Sequence, residues 1–246
     1  MKWGWFFVLG LAVQPLAGCA LVIGTPGSGV VQSETRPVDV FDEIEVSGAA
    51  TVHVVFGNDS QVHLTTDDNL LPLIETKVAD GKLRIRPLEP IRPSQELVVR
   101  ITTSDIERIE ANGSVNMHIE RAKLDALEIE LNGACDLVAE GTVDQLTIEA
   151  SGAADVDTRA LQAKSVKFSL SGAGSGQVFA SDALSAEISG AGSLRYYGNP
   201  TQVNEQLSGV GSIAPGDRED DSPTTVEAEE DDKLLKQLAP ETPRRR

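Results

Sequence analysis

A small-residue corner returns along this chain at nearly fixed intervals. It reads SGAA at 47–50, NGSV at 112–115, NGAC at 132–135, SGAA at 151–154, SGAG at 171–174 and 189–192, and SGVG at 208–211. From Gly113 onward the steps between corner glycines are 20, 19, 20, 18 and 19 residues. Self-similarity at such a period is the mark of a repeat architecture, in which one unit cannot bury its inner face alone and stacking completes the core. The 65 residues from Gly48 to Gly113 are close to three more units, so the count predicts three intervening windings.

Alignment on each glycine shows what a unit is. Two residues before it stand Val46, Ala111, Leu131, Ala150, Leu170, Ile188 and Leu207; four before it stand Ile44, Ile109, Ile129, Ile148, Phe168 and Ala186, with Glu205 breaking the column. Between these apolar columns lie Glu45, Glu110, Glu130, Glu149, Ser169, Glu187 and Gln206. After the glycine the alternation resumes, with the mostly apolar Val52, Met117, Leu137, Val156, Gly176, Leu194 and Ile213 four residues on, and polar residues three residues on. A period of two is a strand with one face inward. The bend falls at glycine, which tolerates backbone angles other residues resist.

The pattern predicts an all-β fold: a single-stranded parallel β-helix, or β-solenoid, over 38–216 with coils of 18–20 residues, each adding about 4.8 Å along the axis. An antiparallel sandwich of hairpins is the alternative, and it accounts less well for columns that repeat in register. Aromatics are only 4% of the chain, which suits a narrow core of small and β-branched side chains. The stretch 57–100 is less regular. Strands are expected at 62–66, 82–86 and 96–102, with interruptions at 67–78 and 87–93, and Leu70, Leu71, Leu73 and Ile74 are expected to cover the open N-terminal end.

The N-terminus gives an address. Residues 1–18 have one early cation, Lys2, then a short apolar run and small residues, the layout of a secretory signal peptide. Leu16-Ala17-Gly18-Cys19 resembles a bacterial lipobox, which makes Cys19 the lipidation site and the mature N-terminus. Two or three acyl chains anchor durably, since each buried methylene contributes about 0.8 kcal/mol. Ala20 after the cysteine resembles the outer-membrane sorting signal of Gram-negative lipoproteins. Residues 19–37 read as the lipidated N-terminus and a flexible tether, and 217–246 as an acidic, disordered tail with a short helix near Lys233–Leu238. With Cys19 acylated, Cys135 has no disulfide partner and is expected as a small buried thiol.

The net charge of −17 makes nucleic acid an unsuitable partner and favours divalent cations or basic surfaces. The expected partners are the membrane, through the lipid anchor, and envelope proteins or polysaccharide.

The corner repeat, the opening FDEIEVSGAATVHVVFG and the lipobox together resemble the DUF2807 family, the putative auto-transporter adhesin, head GIN domain proteins of bacterial envelopes. The resemblance spans roughly 38–215. It implies a β-helical envelope domain and supplies no catalytic residues to carry over.

Candidate chemistry is therefore modest. Glu110, Glu130, Glu149 and Glu187 would line one outer column at strand spacing, with Asp136 and Asp155 in another beside the bend. Like charges directly opposed destabilise a sheet, so such a row splays into water, recruits Ca²⁺ or is relieved by neighbours such as Arg108 and Lys167. These six acids are the candidate binding surface. No catalytic residue, cofactor or dedicated metal site is expected. His53 and His118 share an offset from their glycines, yet the coil count places them several windings apart, which rules out a joint metal site. The expected function is a non-catalytic binding, adhesion or structural surface on an envelope lipoprotein. The alternative is a carbohydrate-active enzyme, lyase or hydrolase, on the same fold, with Asp136 and Asp155 as its acid/base candidates.

Overall fold

A computed structural model describes residues 24–216. Cys19, the leader and the tail 217–246 lie outside the described residues. The chain is all-β. Its strands are β1 (Thr25–Pro26), β2 (Val31–Pro37), β3 (Glu43–Phe56), β4 (Gln61–Asp67), β5 (Ile74–Ala79), β6 (Lys82–Pro87), β7 (Ile91–Arg92), β8 (Val98–Thr103), β9 (Arg108–Tyr197) and β10 (Gln202–Pro215), with one 3-10 turn at Leu71–Leu73.

β9 runs for 90 residues without a break. Laid out straight it would reach about 300 Å at strand rise. Instead it bends, and its corner glycines pile on one another. A Cβ at Gly133 would overlap the carbonyl oxygen of Gly113, one at Gly152 that of Gly133, and so on through Gly172, Gly190 and Gly209. At both ends of β9 the pairing is parallel and in register. β3 lies along its start, with Gly48 opposite Gly113 and His53 opposite His118. β10 lies along its end, with Gly209 opposite Gly190 and Leu207 opposite Ile188.

The inward columns are the core. Ile44, Ile109, Ile129, Ile148, Phe168 and Ala186 are all buried, as are Val46, Ala111, Leu131, Ala150, Leu170 and Ile188. Full burial of a side chain of this size contributes about 1.5–3 kcal/mol. Volumes compensate between neighbours: the Phe168 ring occupies the space that Gly176 leaves by having no side chain. Cys135 sits in the core at 3% exposure, and burial pushes its thiol pKa up.

Three sequence expectations need correction. First, the pairing is mixed rather than parallel throughout: β2 on β4, β4 on β8 and β5 on β6 are antiparallel. Second, no further windings separate Gly48 from Gly113, because those two corners touch. Residues 57–107 leave the stack and return to its far side, where β6 pairs with the first arm of β3 and β8 with the second. Pro87 packs over Gly48 where the two meet, its Cδ 3.2 Å from where a glycine Cβ would stand. Third, the flexible tether is not seen from Thr25 on. β1 pairs with β7, and β2 pairs residue for residue with β4 from Val31 to Pro37. The alternating side chains of 31–37 find an open strand edge there, and that pairing outweighs the linker-like composition.

Leu70, Leu71 and Ile74 are buried and Leu73 is partly buried, at the end of the sheet away from β10. β5, inside a stretch expected to interrupt the strands, is a strand paired with β6.

Candidate functional site

Side chains that point outward from the second arm of β3 share a face with those of β9, β8, β4 and β2. Register fixes one row across it: His118 on β9, His53 on β3, Arg100 on β8, His63 on β4 and Thr35 on β2. All three histidines of the chain therefore stand in a single line with an arginine. The His53 and His118 rings stack at 5.0 Å between centroids, 14° from parallel. Sequence spacing had set them several windings apart; the shared offset from glycine was the right signal, and the miscounted gap hid it.

The three histidines are half-buried, and Arg100 and Thr35 are exposed. His63 Nδ1 and Thr35 Oγ1 are hydrogen-bonded at 2.9 Å. His53 Nδ1 is buried without a hydrogen bond, and Glu120 Oε1 stands 3.7 Å from it. Burial, then the neighbouring His118 and Arg100, lower the His53 pKa, while Glu120 opposes them. The imidazole accordingly stays neutral at neutral pH. Beside the row, Thr35, Gln61, His63, Arg100 and Thr102 line an open hollow of about 320 Å³. Arg100 offers a fork of N–H donors and His63 an imidazole edge, a set suited to a carboxylate or phosphate oxygen.

The glutamate column lies on the other arm, before the glycine, whereas Asp136 and Asp155 follow their glycines on the arm that carries His53 and His118. Glu110, Glu130 and Glu149 are partly buried, whereas Glu187, Asp136 and Asp155 are exposed. Cations interleave with the glutamates. Lys82 Nζ lies 3.1 Å from Glu43, 4.0 Å from Glu45 and 3.8 Å from Glu110. Arg108 bridges Glu128 at 2.8 Å and also Glu130, and Lys167 meets Glu149 at 2.8 Å. Of the three outcomes open to such a row, relief by Arg108 and Lys167 is the one found at Glu130 and Glu149. Asp155 accepts hydrogen bonds from the Ser175 N–H and hydroxyl, at 3.0 and 2.6 Å, as part of a polar ladder. Asp136, at the same offset from its glycine, is exposed as well. Among the described residues no three His, Cys, Asp or Glu side chains are grouped to hold a metal ion.

A wider hollow of about 630 Å³ opens where Asp105, Glu107, Lys123, Asp125 and Glu128 converge at the corner leading into β9. Four acids surround one lysine there, so it suits a cationic rather than an anionic guest.

Comparison with solved structures supports the fold. A putative adhesin from Bacteroides fragilis superposes with a TM-score of 0.67 at 22% identity, covering 78% of this chain and all of the other. A putative lipid binding protein from Parabacteroides distasonis gives 0.51 at 20% identity, covering 79% of this chain and all of the other. No functionally curated protein matches the chain. The sequence profile of DUF2807, described as putative auto-transporter adhesin, head GIN domain, matches residues 40–200. The span runs from the start of β3 to the end of β9, and the chain belongs to that family.

Proposed function

We propose that this chain is an exported envelope lipoprotein, anchored through Cys19 to the outer membrane of a Gram-negative bacterium, whose strands β3, β9 and β10 wind into a parallel β-helix with a non-catalytic binding or adhesion surface. The observation that carries the reading is the register: Gly48 over Gly113 at one end and Gly209 over Gly190 at the other set outward side chains in straight rows. Rows on a rigid sheet suit repeated weak contacts with an extended polymer better than one deep pocket. The family description and the adhesin name of the Bacteroides fragilis structure agree with it.

The contact point is the Arg100–His63 hollow, and the group it receives is an anion, a carboxylate or phosphate of envelope polysaccharide or lipid. It is a cationic spot on a chain of net charge −17, so the anion is recognised at short range against a repulsive background. The acidic ladder, with three of its glutamates already paired, is the poorer surface for such a ligand.

Two experiments test this. Palmitate labelling with membrane fractionation should mark and sediment the wild type, and Cys19→Ala should abolish both. Full-length protein screened against acidic glycans and envelope fractions should bind saturably, with about tenfold weaker binding for Arg100→Ala and unchanged binding for Glu187→Ala. Cleavage of the bound polymer, lost on Asp136→Ala or Asp155→Ala, would overturn the non-catalytic reading.

A further inference from the structure

The two ends of the sheet are finished differently. β2, at one edge, is seven residues long, contains Glu34, Arg36 and Pro37, and is stitched down by Arg36 to the Leu71 and Ile74 carbonyls at 2.8 and 2.6 Å. β10, at the other edge, is fourteen residues long and pairs on one side only, with β9. It has a single charged residue, Glu205, and no lysine or arginine. Its inward side chains are uncovered: Leu207 is 44% exposed, although its column mates Ile188 and Leu170 are at 0% and 1%, and Val203 is 42% exposed. Val210 at the corner is 80% exposed. A long edge of unpaired N–H and C=O groups with open apolar side chains is a template for pairing, and proteins normally cover or charge it.

We infer that the chain's own tail covers this end, with the stretch Lys233–Leu238 seated on β10. The stretch KLLKQL carries Leu234, Leu235 and Leu238 within an otherwise acidic segment, and their i, i+1, i+4 spacing puts them on one helical face. The tail begins beside the end of β10, at Asp217. Sixteen residues, the length of 217–232, would span about 22 Å as a random coil and at most about 55 Å when extended. Leu207 lies nine residues back along β10, at most about 30 Å away. Tethering on that scale supplies an effective concentration on the order of 1 mM, which a second copy does not match at cellular dilution. Charge points the same way. Asp182, Glu187 and Glu205 stand on the last two rows, and the stretch offers Lys233 and Lys236 with no acid between them. A second copy with the same net charge of −17 would add repulsion.

Amide hydrogen exchange on the full-length chain tests the inference. Peptides covering 202–215 should exchange at least tenfold faster in Leu234→Asp/Leu235→Asp/Leu238→Asp than in the wild type, with 108–197 unchanged. A chain ending at Gly216 should show the same acceleration and bind a hydrophobic dye that the wild type excludes. Equal exchange of 202–215 in wild type and triple variant would overturn the inference. So would protection that rises with protein concentration and ignores the tail, the behaviour of an edge covered by a second copy.

Discussion

The halves on either side of Glu107 solve the same problem by different means. Residues 108–215 repeat one rule, and each row of side chains is specified by the row beneath it. Residues 24–107 follow no repeat: β4 and β2 add antiparallel strands, Arg36 ties the edge to the 3-10 turn, and a buried carboxylate joins the loops. Asp67 is 1% exposed and accepts hydrogen bonds from the Gly29 and Ser94 N–H groups at 2.7 and 2.8 Å and from the Ser94 hydroxyl at 2.6 Å. Repetition builds a core cheaply but ends in an open edge, whereas closure needs residues that occur once.

The contrast is sharpest at glycine. Gly152, at φ +122°, has the Gly133 carbonyl against the position of its missing Cβ, and backbone on both sides prevents relief. Gly152→Ala is expected to cost at least about 3 kcal/mol and to compromise folding, read by denaturant unfolding. Gly29 also has positive φ, +83°, but has nothing within 4 Å of that position. Gly29→Ala should cost only about 1 kcal/mol. Equal costs at the two sites would break the distinction.

Within the repeated half, position along the stack should matter as much as residue type. Leu131 and Leu207 occupy the same column, yet Leu131 is 1% exposed and Leu207 is 44% exposed. Leu131→Ala should lose about 2–5 kcal/mol. Leu207→Ala should lose a small fraction of that if β10 is bare, and a value approaching Leu131→Ala if the tail covers it.

The inward columns were legible in the sequence because each apolar residue recurs at a constant offset from a glycine, and no other periodicity competes. The acidic ladder and its relief by Arg108 and Lys167 were legible for the same reason. The histidine row was not. His53 meets His118 because β3 lies directly on β9, and Arg100 and His63 join them because the excursion from 57 to 107 returns β8 parallel against β3 with β4 antiparallel on its far side; nothing local encodes that return. Residues 25–37 were misread because Gly, Ser and Pro resemble a linker until a partner edge is known. Helical periodicity was absent from the repeat region, and among the described residues only the 3-10 turn departs from strand, turn and loop.

Acid should act on the non-repeating half through two different groups. The hydrogen bonds from Ser94 and Gly29 hold the Asp67 carboxyl below its ordinary value. Its contribution is therefore complete above the ordinary carboxylate range and lost as pH falls through the lowered folded value. Asp67→Asn should reduce the melting temperature by several degrees at pH 7 and flatten its decline in strong acid. His53 titrates higher. Its folded pKa is depressed, so the unfolded chain binds the proton more readily and stability falls as pH drops through about 6.5. Glu120 moderates the loss, and His118 and Arg100 deepen it. His53→Gln should remove a modest part of the stability change between pH 7 and 5, with little effect at pH 8.

The account rests on successive corners standing one strand spacing apart in a straight line. Nitroxide labels attached through cysteine at Val210 and, in turn, at Ala173, Ala153, Ala134 and Ser114, in a Cys19→Ala, Cys135→Ala background, measure that line directly, since all five positions are exposed. Pulsed electron-spin distances are predicted to grow evenly, with backbone separations of about 10, 14, 19 and 24 Å, one increment of about 4.8 Å per repeat. Distances that fail to grow with each repeat, or that alternate between short and long as hairpins would produce, would contradict it.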